Sequence, residues 1–247
     1  MSILTHRRIA HLRAVPRPAL APDKRAVFDH YWETRDLSSV DRRTRLRIAI
    51  VEALLNGRKG RLLDVGCGRG TVAAHFAELG HQVTAIDISP LAIRWTERQN
   101  PHIKAAVLDL ESEPLTGEFE TILCLEVLQQ VRNPVDVLAK LRDALVPGGA
   151  LIVSLPNEFH LARRLAILLG RVDFGGVDDT HIKLYTPAEH RRLFAACGLR
   201  IKKSQSQSII PPRWGDGSLH RALNPVADRF PALLALSTVY LLKPGLR

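Results

Sequence analysis

The sequence is poor in cysteine, in aromatic residues and in long apolar runs. Its three cysteines, Cys67, Cys124 and Cys197, are an odd number without metal-ligand spacing, which argues against a disulfide framework and predicts a reducing compartment. The apolar run at residues 232–242 is shorter than the roughly 20 residues that a membrane-spanning helix needs. The N-terminus lacks the apolar core of a secretory signal. We therefore expect a cytoplasmic protein without a transmembrane segment.

The formal net charge of +10 is distributed unevenly along the chain. Counting Lys and Arg against Asp and Glu gives +7 for residues 1–60, −4 for residues 61–150 and +7 for residues 151–247. Much of the flanking charge is typical of solvated, arginine-rich surfaces. The segregation nevertheless favours a cationic ligand at the centre and an anionic partner at the flanks.

The residue pattern divides the chain into three parts. Residues 1–22 are basic, contain prolines and show no sustained period, so we predict a basic N-terminal arm without regular structure. Residues 23–57 predict two helices, with Asp23 as the cap of the first and Gly57 as the end of the second. Residues 58–247 form the predicted main domain.

Within this domain, short apolar runs alternate with helical stretches, which predicts an α/β fold with a doubly wound, mostly parallel sheet covered on both faces. The predicted strands lie near residues 61–65, 82–86, 104–108, 120–124 and 149–155, with two late strands near 199–208 and 234–242. The predicted helices lie near residues 70–79, 90–99 and 134–145, and a turn at Pro147–Gly149 follows the last of them. Residues 156–186 form a cap-like inserted segment, with Asn157 as the predicted cap of its helix and a loop able to close over a site.

The first predicted strand runs into "LLDVGCGRG", a glycine-rich turn that indicates a nucleotide site. A dinucleotide turn reads G-x-G-x-x-G, whereas Gly66, Gly68 and Gly70 give G-x-G-x-G with Thr71 in the sixth position. No Gly-Lys-Ser/Thr follows, so the phosphate-loop pattern also fails. Asp64, before the turn, would repel a pyrophosphate and attract an ammonium or sulfonium group. The turn therefore predicts a positively charged nucleoside ligand.

Two further carboxylates end the second and third predicted strands. Asp87 ends "VTAID", where a carboxylate can accept hydrogen bonds from both hydroxyls of a ribose. Asp109 follows "AAVL", where it could accept from an exocyclic amine. Each acid alone is equally well explained as a loop or cap residue. Because ligands of open α/β sheets bind along the carboxyl ends of the strands, Asp64, Asp87 and Asp109 together predict one site.

Five motifs carry a family resemblance: "LLDVGCGRG", "VTAIDIS", "AAVLDLE", "FETILCLEVLQQV" and "LVPGGALIVSLPN". In order and spacing they resemble the successive motifs of class I S-adenosylmethionine-dependent methyltransferases over roughly residues 60–157. The resemblance implies a Rossmann-like sheet of seven strands with an antiparallel last strand. It also implies S-adenosylmethionine as cofactor and S-adenosylhomocysteine as product.

The resemblance assigns cofactor contacts to ten positions. The glycine turn would pass its backbone close to the methionine portion, with Asp64 near the amino group. Asp87 would hold the ribose, and Asp109 with Leu110 would meet the adenine. The predicted cofactor set is Asp64, Gly66, Cys67, Gly68, Gly70, Asp87, Ile88, Asp109, Leu110 and Leu125.

The segment after the fourth predicted strand departs from the family pattern. Small-molecule members of the ubiquinone-type branch usually read E-V-L-E-H-V here, whereas this chain reads E-V-L-Q-Q-V over residues 126–131. Gln130 thus replaces a histidine that could act as a base or metal ligand, and we predict no metal site. Glu126 and His181 are the candidate catalytic residues. The candidate acceptor pocket, which puts the helices of residues 23–57 on the acceptor side, comprises Tyr31, Trp32, Gln129, Gln130, His160 and Tyr185.

The resulting hypothesis is transfer of a methyl group from S-adenosylmethionine to a small-molecule acceptor, preferably to an oxygen, by in-line displacement. An RNA methyltransferase that uses the basic flanks and a non-catalytic S-adenosylmethionine-binding subunit are the alternatives. The sequence lacks N/D-P-P-Y/F after the fourth strand and has an aromatic content of 5%, which disfavours a nucleic-acid partner. We therefore predict an acidic or amphipathic small molecule, and the oligomeric state stays open.

Overall fold

The computed structural model describes residues 23–34, 40–171, 180–208 and 224–245. The predicted arm and residues 172–179 of the predicted loop lie outside these ranges. The described helices include α1 Lys24–Glu33, α2 Arg42–Leu55, α3 Thr71–Glu78, α4 Pro90–Gln99, α5 Pro134–Asp143, α6 Leu161–Leu168, α7 Pro187–Ala196 and α8 Pro231–Leu234, with a 3₁₀ turn, η1, at Leu128–Gln130. The described strands are β1 Arg61–Val65, β2 Gln82–Asp87, β3 Lys104–Val107, β4 Phe119–Leu125, β5 Leu145–Pro156, β6 Leu199–Ser208 and β7 Ala235–Pro244.

These strands form one seven-stranded sheet in the order β3-β2-β1-β4-β5-β7-β6. The pairs among β1–β5 are parallel, whereas β7 runs antiparallel to both β5 and β6. The predicted doubly wound sheet with an antiparallel last strand is confirmed. The strand order reverses between β1 and β4, and the crevice beyond the carboxyl ends at such a reversal is where open α/β sheets bind ligands.

The register brings the predicted strand-end residues to one level. Val65 of β1 pairs with Ile86 of β2 and with Cys124 of β4. The residues that come next, which include Asp87 and Leu125, therefore border the same crevice as the glycine turn.

Each face of the sheet has its own apolar core. On one face, α2, α3 and α4 bury residues such as Val51, Phe76 and Ile93 against β1, β2, β4 and β5. On the other face, α5 and α7 bury residues such as Leu138 and Phe194. Because the two cores clamp the sheet from both sides, the strand ends of the site rest on a rigid base.

The two N-terminal helices begin at side-chain caps. The Asp23 carboxylate accepts from the backbone N–H of Arg25 at 3.1 Å, as predicted for α1, and Asp41 accepts from Thr44 at 3.0 Å at the start of α2. The predicted end of α2 was one residue late. Asn56 takes the left-handed conformation that closes the helix, with φ 49°, because asparagine tolerates this region better than most residues.

The predicted turn at Pro147–Gly149 was wrong. These residues lie inside β5 as an irregularity: Phe119 of β4 pairs with Leu145, whereas Thr121 already pairs with Ala150. The extra residues of β5 are absorbed as a bulge, and strand pairing continues past them.

The predicted cap of α6 was also wrong. His160, not Asn157, precedes the helix, and its Nδ1 accepts from the backbone N–H of Arg163 at 3.4 Å. The buried Asn157 amide instead donates to carbonyl oxygens of residues 231, 232 and 235. It therefore ties the end of β5 to α8.

Candidate cofactor and acceptor site

The glycine turn lies between β1 and α3, and all three of its glycines have positive φ. The angles are 67° at Gly66, 54° at Gly68 and 77° at Gly70, a region that residues with a Cβ rarely adopt. Space is also short: a Cβ at Gly66 would lie 2.5 Å from the Val127 side chain, and one at Gly68 would lie 2.5 Å from the Trp32 ring. The G-x-G-x-G pattern therefore follows from backbone conformation and from close approach together.

Asp64 is a buried carboxylate directly below this turn. Its side chain is 2% exposed, the backbone N–H of Ala73 donates to it, and its Oδ2 atom has no hydrogen-bond partner. Burial, with the nearby Asp87 charge as a second cause, raises the pKa of Asp64 to about 7. A buried carboxylate with an unpaired oxygen is costly unless a cation or donor comes to it. The Asp64 carboxylate therefore suits a positively charged ligand group.

Asp87 ends β2 and fixes the shape of the turn. Its Oδ2 accepts from the backbone N–H of Gly68 at 2.9 Å, and its Oδ1 accepts from that of Ser89 at 2.9 Å. Burial raises the pKa of this carboxyl, although both hydrogen bonds act in the opposite direction. Each carboxylate oxygen retains further lone-pair capacity, so Asp87 can hold the turn and still accept from a ligand hydroxyl.

Asp109 follows β3 and is paired with the first helix. Its Oδ1 accepts from the backbone N–H of Glu111 at 3.0 Å and lies 3.3 Å from Lys24 Nζ of α1. Lys24 also contacts the Glu111 carboxylate. Burial alone would raise the pKa of Asp109, but the Glu111 N–H and the Lys24 charge together lower it. The predicted adenine-side acid is therefore ionised and is covered by α1.

The apolar members of the predicted cofactor set line the same edge. Leu110 and Leu125 are buried, and Ile88 is half-buried. Burial, followed by the charges of Asp64 and Asp87, raises the pKa of the Cys67 thiol well above its usual range. The unreactive thiol agrees with the prediction that Cys67 contributes small size and backbone rather than nucleophilic chemistry.

Trp32, a predicted acceptor residue, lies against the glycine turn. Its ring packs over Gly68, and the Tyr31 ring packs edge-on against it with 5.2 Å between centroids. Farther along α1, Asp29 accepts from the Ser89 hydroxyl and from the Leu91 N–H. Helix α1 therefore spans the whole predicted cofactor edge.

Glu126, a predicted catalytic residue, has a strained backbone at the end of β4. Its φ of 58° is rare for a residue with a long side chain. The Ser154 hydroxyl donates to its Oε1 at 2.8 Å, and Arg47 of α2 lies 3.6 Å from the same oxygen. Arg47 was missed in the sequence because helix α2 offers several arginines and no pattern marks the one that reaches the sheet.

His181, the other predicted catalytic residue, contacts the segment that follows β4. Its Nε2 lies 3.5 Å from the side-chain Nε2 of the buried Gln129, and the backbone carbonyl of Gln129 accepts from the N–H groups of Ile182 and Lys183. Gln130 donates to the Thr180 hydroxyl at 3.0 Å. Gln129 and Gln130 therefore anchor the chain on both sides of His181, and an imidazole reaches this place from the inserted segment.

A second group that the sequence did not reveal surrounds His181. Glu158 lies just beyond β5, with its Oε1 3.2 Å from His181 Nδ1, and its other oxygen contacts the Arg163 guanidinium of α6. The available signal was the position of Glu158 two residues after a strand that ends at the ligand edge. Arg163 gave no signal because Arg164 stands beside it, and the sequence does not mark which of the two arginines turns inward.

The two remaining predicted acceptor residues, His160 and Tyr185, lie in structural positions. His160 caps α6, and burial followed by the Arg163 charge lowers its pKa. Tyr185 is 1% exposed within the apolar core, and burial raises its pKa to about 12. This core position corrects the prediction for Tyr185, because a side chain enclosed by packed apolar residues does not line an open pocket.

Two further properties apply to the described ranges. No group of three or more His, Cys, Asp or Glu side chains there is arranged to hold a metal ion. No helix in those same ranges is long and apolar enough to cross a membrane.

The residues of the cofactor edge fit the predicted cofactor. The unpaired Asp64 oxygen suits an ammonium group, and the positive-φ glycines let the backbone approach a ligand closely. Asp87 and Asp109 supply acceptors at the next two strand ends.

Comparison with known sequences gives one family and close relatives. A family model described as "Methyltransferase domain" matches residues 31–204. The ubiquinone biosynthesis O-methyltransferase of Xanthomonas oryzae pv. oryzae (strain PXO99A) is 35% identical over 130 residues, which are 50% of this chain and 54% of that protein. A mitochondrial protein of that name from Schizosaccharomyces pombe is 34% identical over 116 residues, 44% of this chain and 42% of its own. The chain spans about half the length of the curated relatives that it matches.

Solved structures with this fold include two that hold S-adenosylhomocysteine. One is the Burkholderia thailandensis 1,6-didemethyltoxoflavin-N1-methyltransferase, with a TM-score of 0.60, 21% identity and coverage of 90% of this chain and 87% of that chain. Another is the magnesium protoporphyrin IX methyltransferase of Synechocystis PCC 6803, with a TM-score of 0.59, 16% identity and coverage of 89% and 95%. At these identities the likeness is one of fold.

Proposed function

The chain belongs to the class I S-adenosylmethionine-dependent methyltransferase family, and we propose that it methylates an oxygen of a small acidic or amphipathic molecule. The observation that carries this proposal is the buried, unpaired Asp64 oxygen beneath three positive-φ glycines at the switch point of the sheet. The family membership agrees with the resemblance drawn from the sequence motifs, and it makes the protein an enzyme.

The cofactor edge supplies one contact for each part of S-adenosylmethionine. In this proposal Asp64 pairs with the amino group, and Gly66, Gly68 and Gly70 lie against the methionine chain. Asp87 accepts from the ribose hydroxyls, and Asp109 accepts from the adenine amine. The carboxylates also favour a sulfonium cation over the neutral thioether that remains after transfer, which assists release of product.

The chemistry is a displacement at carbon. As the acceptor oxygen forms its bond to the methyl carbon, the carbon–sulfur bond breaks and its electron pair remains on sulfur. Holding both reactants in one water-poor site can contribute roughly 7–11 kcal/mol, and a general base adds about 10²–10⁴-fold.

His181 is the base in this proposal. The proton of the acceptor hydroxyl passes to its Nε2 atom, which faces Gln129 rather than the Glu158 carboxylate. Glu126 is held by Ser154 and Arg47 at the end of β4 and shapes the floor of the acceptor side. Glu126 is thus assigned to orientation of the acceptor, and its strained backbone is consistent with a functional position.

The charge around the acceptor side supports an acidic or amphipathic acceptor. Arg47 approaches Glu126 from α2, and Arg163 approaches Glu158 from α6. By composition alone, residues 1–60 carry a net charge of +7. The curated relatives are named for ubiquinone biosynthesis and for O-methylation, which favours oxygen as the methylated atom. None of these names points to RNA.

Calorimetry with S-adenosylmethionine, S-adenosylhomocysteine and NADH tests the cofactor. We expect binding of the first two and none of NADH. Transfer from methyl-labelled cofactor is then measured with hydroxyarenes that carry a carboxylate, with their neutral esters and with the matching anilines. Preferred labelling of the hydroxy acids supports the proposal, whereas exclusive labelling of the anilines or of added RNA contradicts it.

The base is tested with His181→Gln. We expect a loss of about 10²–10⁴-fold in turnover with unchanged cofactor affinity. His102→Gln is the matched control, because His102 is an exposed histidine beside β3. Equal turnover of both variants would remove the catalytic assignment of His181.

A further inference from the structure

Glu158, Arg163 and His181 form a nearly buried charged cluster beside the acceptor side. Their side chains are 11%, 10% and 11% exposed. Removing a carboxylate and a guanidinium from water has a cost that ion pairing often fails to offset, so such a cluster is weak evidence for a purely stabilising role.

The orientation of α6 strengthens this point. Arg163 lies on the buried side of the helix, whereas Leu165 and Leu168 are 51% and 81% exposed. Turning the leucines inward would bury more apolar surface and release the guanidinium to water. The described helix does the opposite, and it thereby holds an arginine against Glu158.

Glu158 also decides which His181 nitrogen carries the proton. A carboxylate 3.2 Å from Nδ1 favours a proton on that nitrogen, which leaves the Nε2 lone pair facing the Gln129 amide. The Nδ1–H is not aligned with the carboxylate in this structure, a common condition of catalytic hydrogen bonds before the substrate is bound.

Gln129 can serve both protonation states of the imidazole. Its amide nitrogen faces Nε2, and its buried Oε1 atom has no partner. If the amide turned over, Oε1 would accept from a protonated Nε2 while Glu158 continued to face Nδ1. The three side chains can therefore follow a proton that arrives at Nε2.

We propose that Glu158, restrained by Arg163, is a positioning residue that holds His181 as its Nδ1–H tautomer and keeps the Nε2 lone pair, 3.5 Å from the Gln129 amide, available to an acceptor hydroxyl. The tautomer does not depend on the proposed function, whereas the kinetic consequence rests on it. Thr180 and Lys183, bonded to Gln130 and Gln129, fix the backbone on either side so that Glu158 needs to orient only the ring.

The tautomer is tested on the full chain without ligand by ¹⁵N-histidine NMR at pH 8. His181→Gln identifies the resonances of residue 181 among the ten histidines. We expect a protonated Nδ1 in the wild type, the same state in Glu158→Gln, whose side chain retains an acceptor, and a shift towards the Nε2–H form in Glu158→Ala. A protonated Nε2 in the wild type, or no response to Glu158→Ala, overturns the proposal.

Because Glu158→Ala leaves a buried guanidinium unpaired, a double variant protects the test from misfolding. Glu158→Ala combined with Arg163→Met removes both charges and should give the same tautomer shift as Glu158→Ala alone. Retention of the Nδ1–H form in a folded double variant would also overturn the proposal.

Kinetics then connect the tautomer to turnover. Once an acceptor is known, we expect Glu158→Ala to lower kcat about 10–100-fold, by analogy with residues that orient other ligating or catalytic histidines, with unchanged calorimetric affinity for the cofactor. Glu158→Gln should recover part of this loss. The matched control is Glu120→Gln, which breaks the Glu120–Arg61 ion pair at the opposite end of the sheet and should leave kcat unchanged.

Failure of the positioning role of Glu158 and failure of the proposed function would give different results. Unchanged kcat in Glu158→Ala overturns the positioning role. The expected tautomers with no methyl transfer to any acceptor support the role of Glu158 in orienting His181 and count against the proposed function instead.

Discussion

At the carboxyl end of β1, single residues of the glycine turn meet different demands. Gly68 combines a positive φ with direct contact from Trp32, and Asp64 combines complete burial with an unpaired oxygen. The requirement at Gly68 concerns backbone conformation and space, and the requirement at Asp64 concerns charge. They can therefore be separated by substitution.

Gly68→Ala should weaken cofactor binding by at least about tenfold, because its Cβ would lie 2.5 Å from the Trp32 ring and displace it. Gly148→Ala is the matched control: its φ of 77° is positive like the 54° of Gly68, but no atom lies within 4 Å of the added Cβ. Both variants should lose about 1–2 kcal/mol of stability from the backbone conformation. Calorimetry and thermal unfolding separate the two effects, and equal cofactor affinities would contradict the crowding argument.

Cofactor affinity should depend on the ionisation of Asp64. In the free protein burial raises its pKa to about 7, whereas an ammonium beside it would lower that pKa. Binding therefore releases a proton below pH 7, and affinity should fall by up to about tenfold for each pH unit below that value. An α-amino group stays protonated up to about pH 8, so the cofactor charge is constant over this window. Calorimetry from pH 5 to pH 8 should give a flat, weak profile for Asp64→Asn, and a wild-type profile of the same flatness would contradict the assignment.

At the scale of elements, helix α1 touches the cofactor edge at three separate places. Lys24 pairs with Asp109, Asp29 accepts from Ser89, and Trp32 packs on Gly68. The two residues of each contact are dozens of positions apart in the sequence. The helix therefore lies along the proposed cofactor site, with its position set by contacts at both ends.

Trp32→Ala should weaken cofactor binding about 5–20-fold in the absence of any acceptor, because about 1–2 kcal/mol of aromatic packing over the turn is lost. Val27→Ala removes an exposed side chain from the same helix and is the control for helix stability. Calorimetry with S-adenosylhomocysteine measures both variants. Unchanged cofactor affinity with a raised KM for the acceptor would instead return Trp32 to the acceptor pocket.

At the scale of the whole molecule, two buried groups oppose each other in the pH dependence of stability. Asp64 has a raised pKa of about 7, so its burial costs nothing below about pH 4 and destabilises progressively as the pH rises to 7. His190 is buried against Tyr240, and burial lowers its pKa to about 4. The contribution of neutral His190 to folding stability is complete above pH 6.5 and is lost as the pH falls towards 4.

The two slopes should largely cancel in the wild type between pH 4 and pH 6.5. Asp64→Asn removes the slope that Asp64 causes. The stability of this variant relative to the wild type should therefore rise with pH, by about 2–4 kcal/mol in total. His190→Asn keeps a partner for the Tyr240 hydroxyl and removes the slope that His190 causes. The stability of this variant relative to the wild type should therefore fall as the pH rises, by about 3 kcal/mol. Urea unfolding at several pH values measures both differences, and two parallel profiles would contradict the pairing of these opposing groups.

The sequence by itself determined which residues stand at the predicted cofactor edge. Strand-end acids and a turn of three glycines are local features of a parallel sheet and of positive φ, and therefore the common location of Asp64, Gly66, Gly68, Gly70, Asp87 and Asp109 could be predicted without coordinates. The mostly parallel sheet was likewise predictable from the alternation of apolar runs, and the seven strands with an antiparallel last strand from the family resemblance. The corrected caps and turn lie at element ends, where asparagine, histidine or a bulge replaced the expected feature, and the short helix α8 and the turn η1 were not predicted.

Only the tertiary structure decided the acceptor side. Glu158, Arg163 and His181 meet because α6 turns a charged residue inward and because two glutamines bind the returning loop, and no spacing in the sequence specifies that rotation. The contact between Trp32 and Gly68 was likewise not evident in the sequence, because the packing angle of α1 determines which aromatic ring reaches Gly68. Contacts between distant segments depend on packing, whereas backbone conformation is encoded residue by residue.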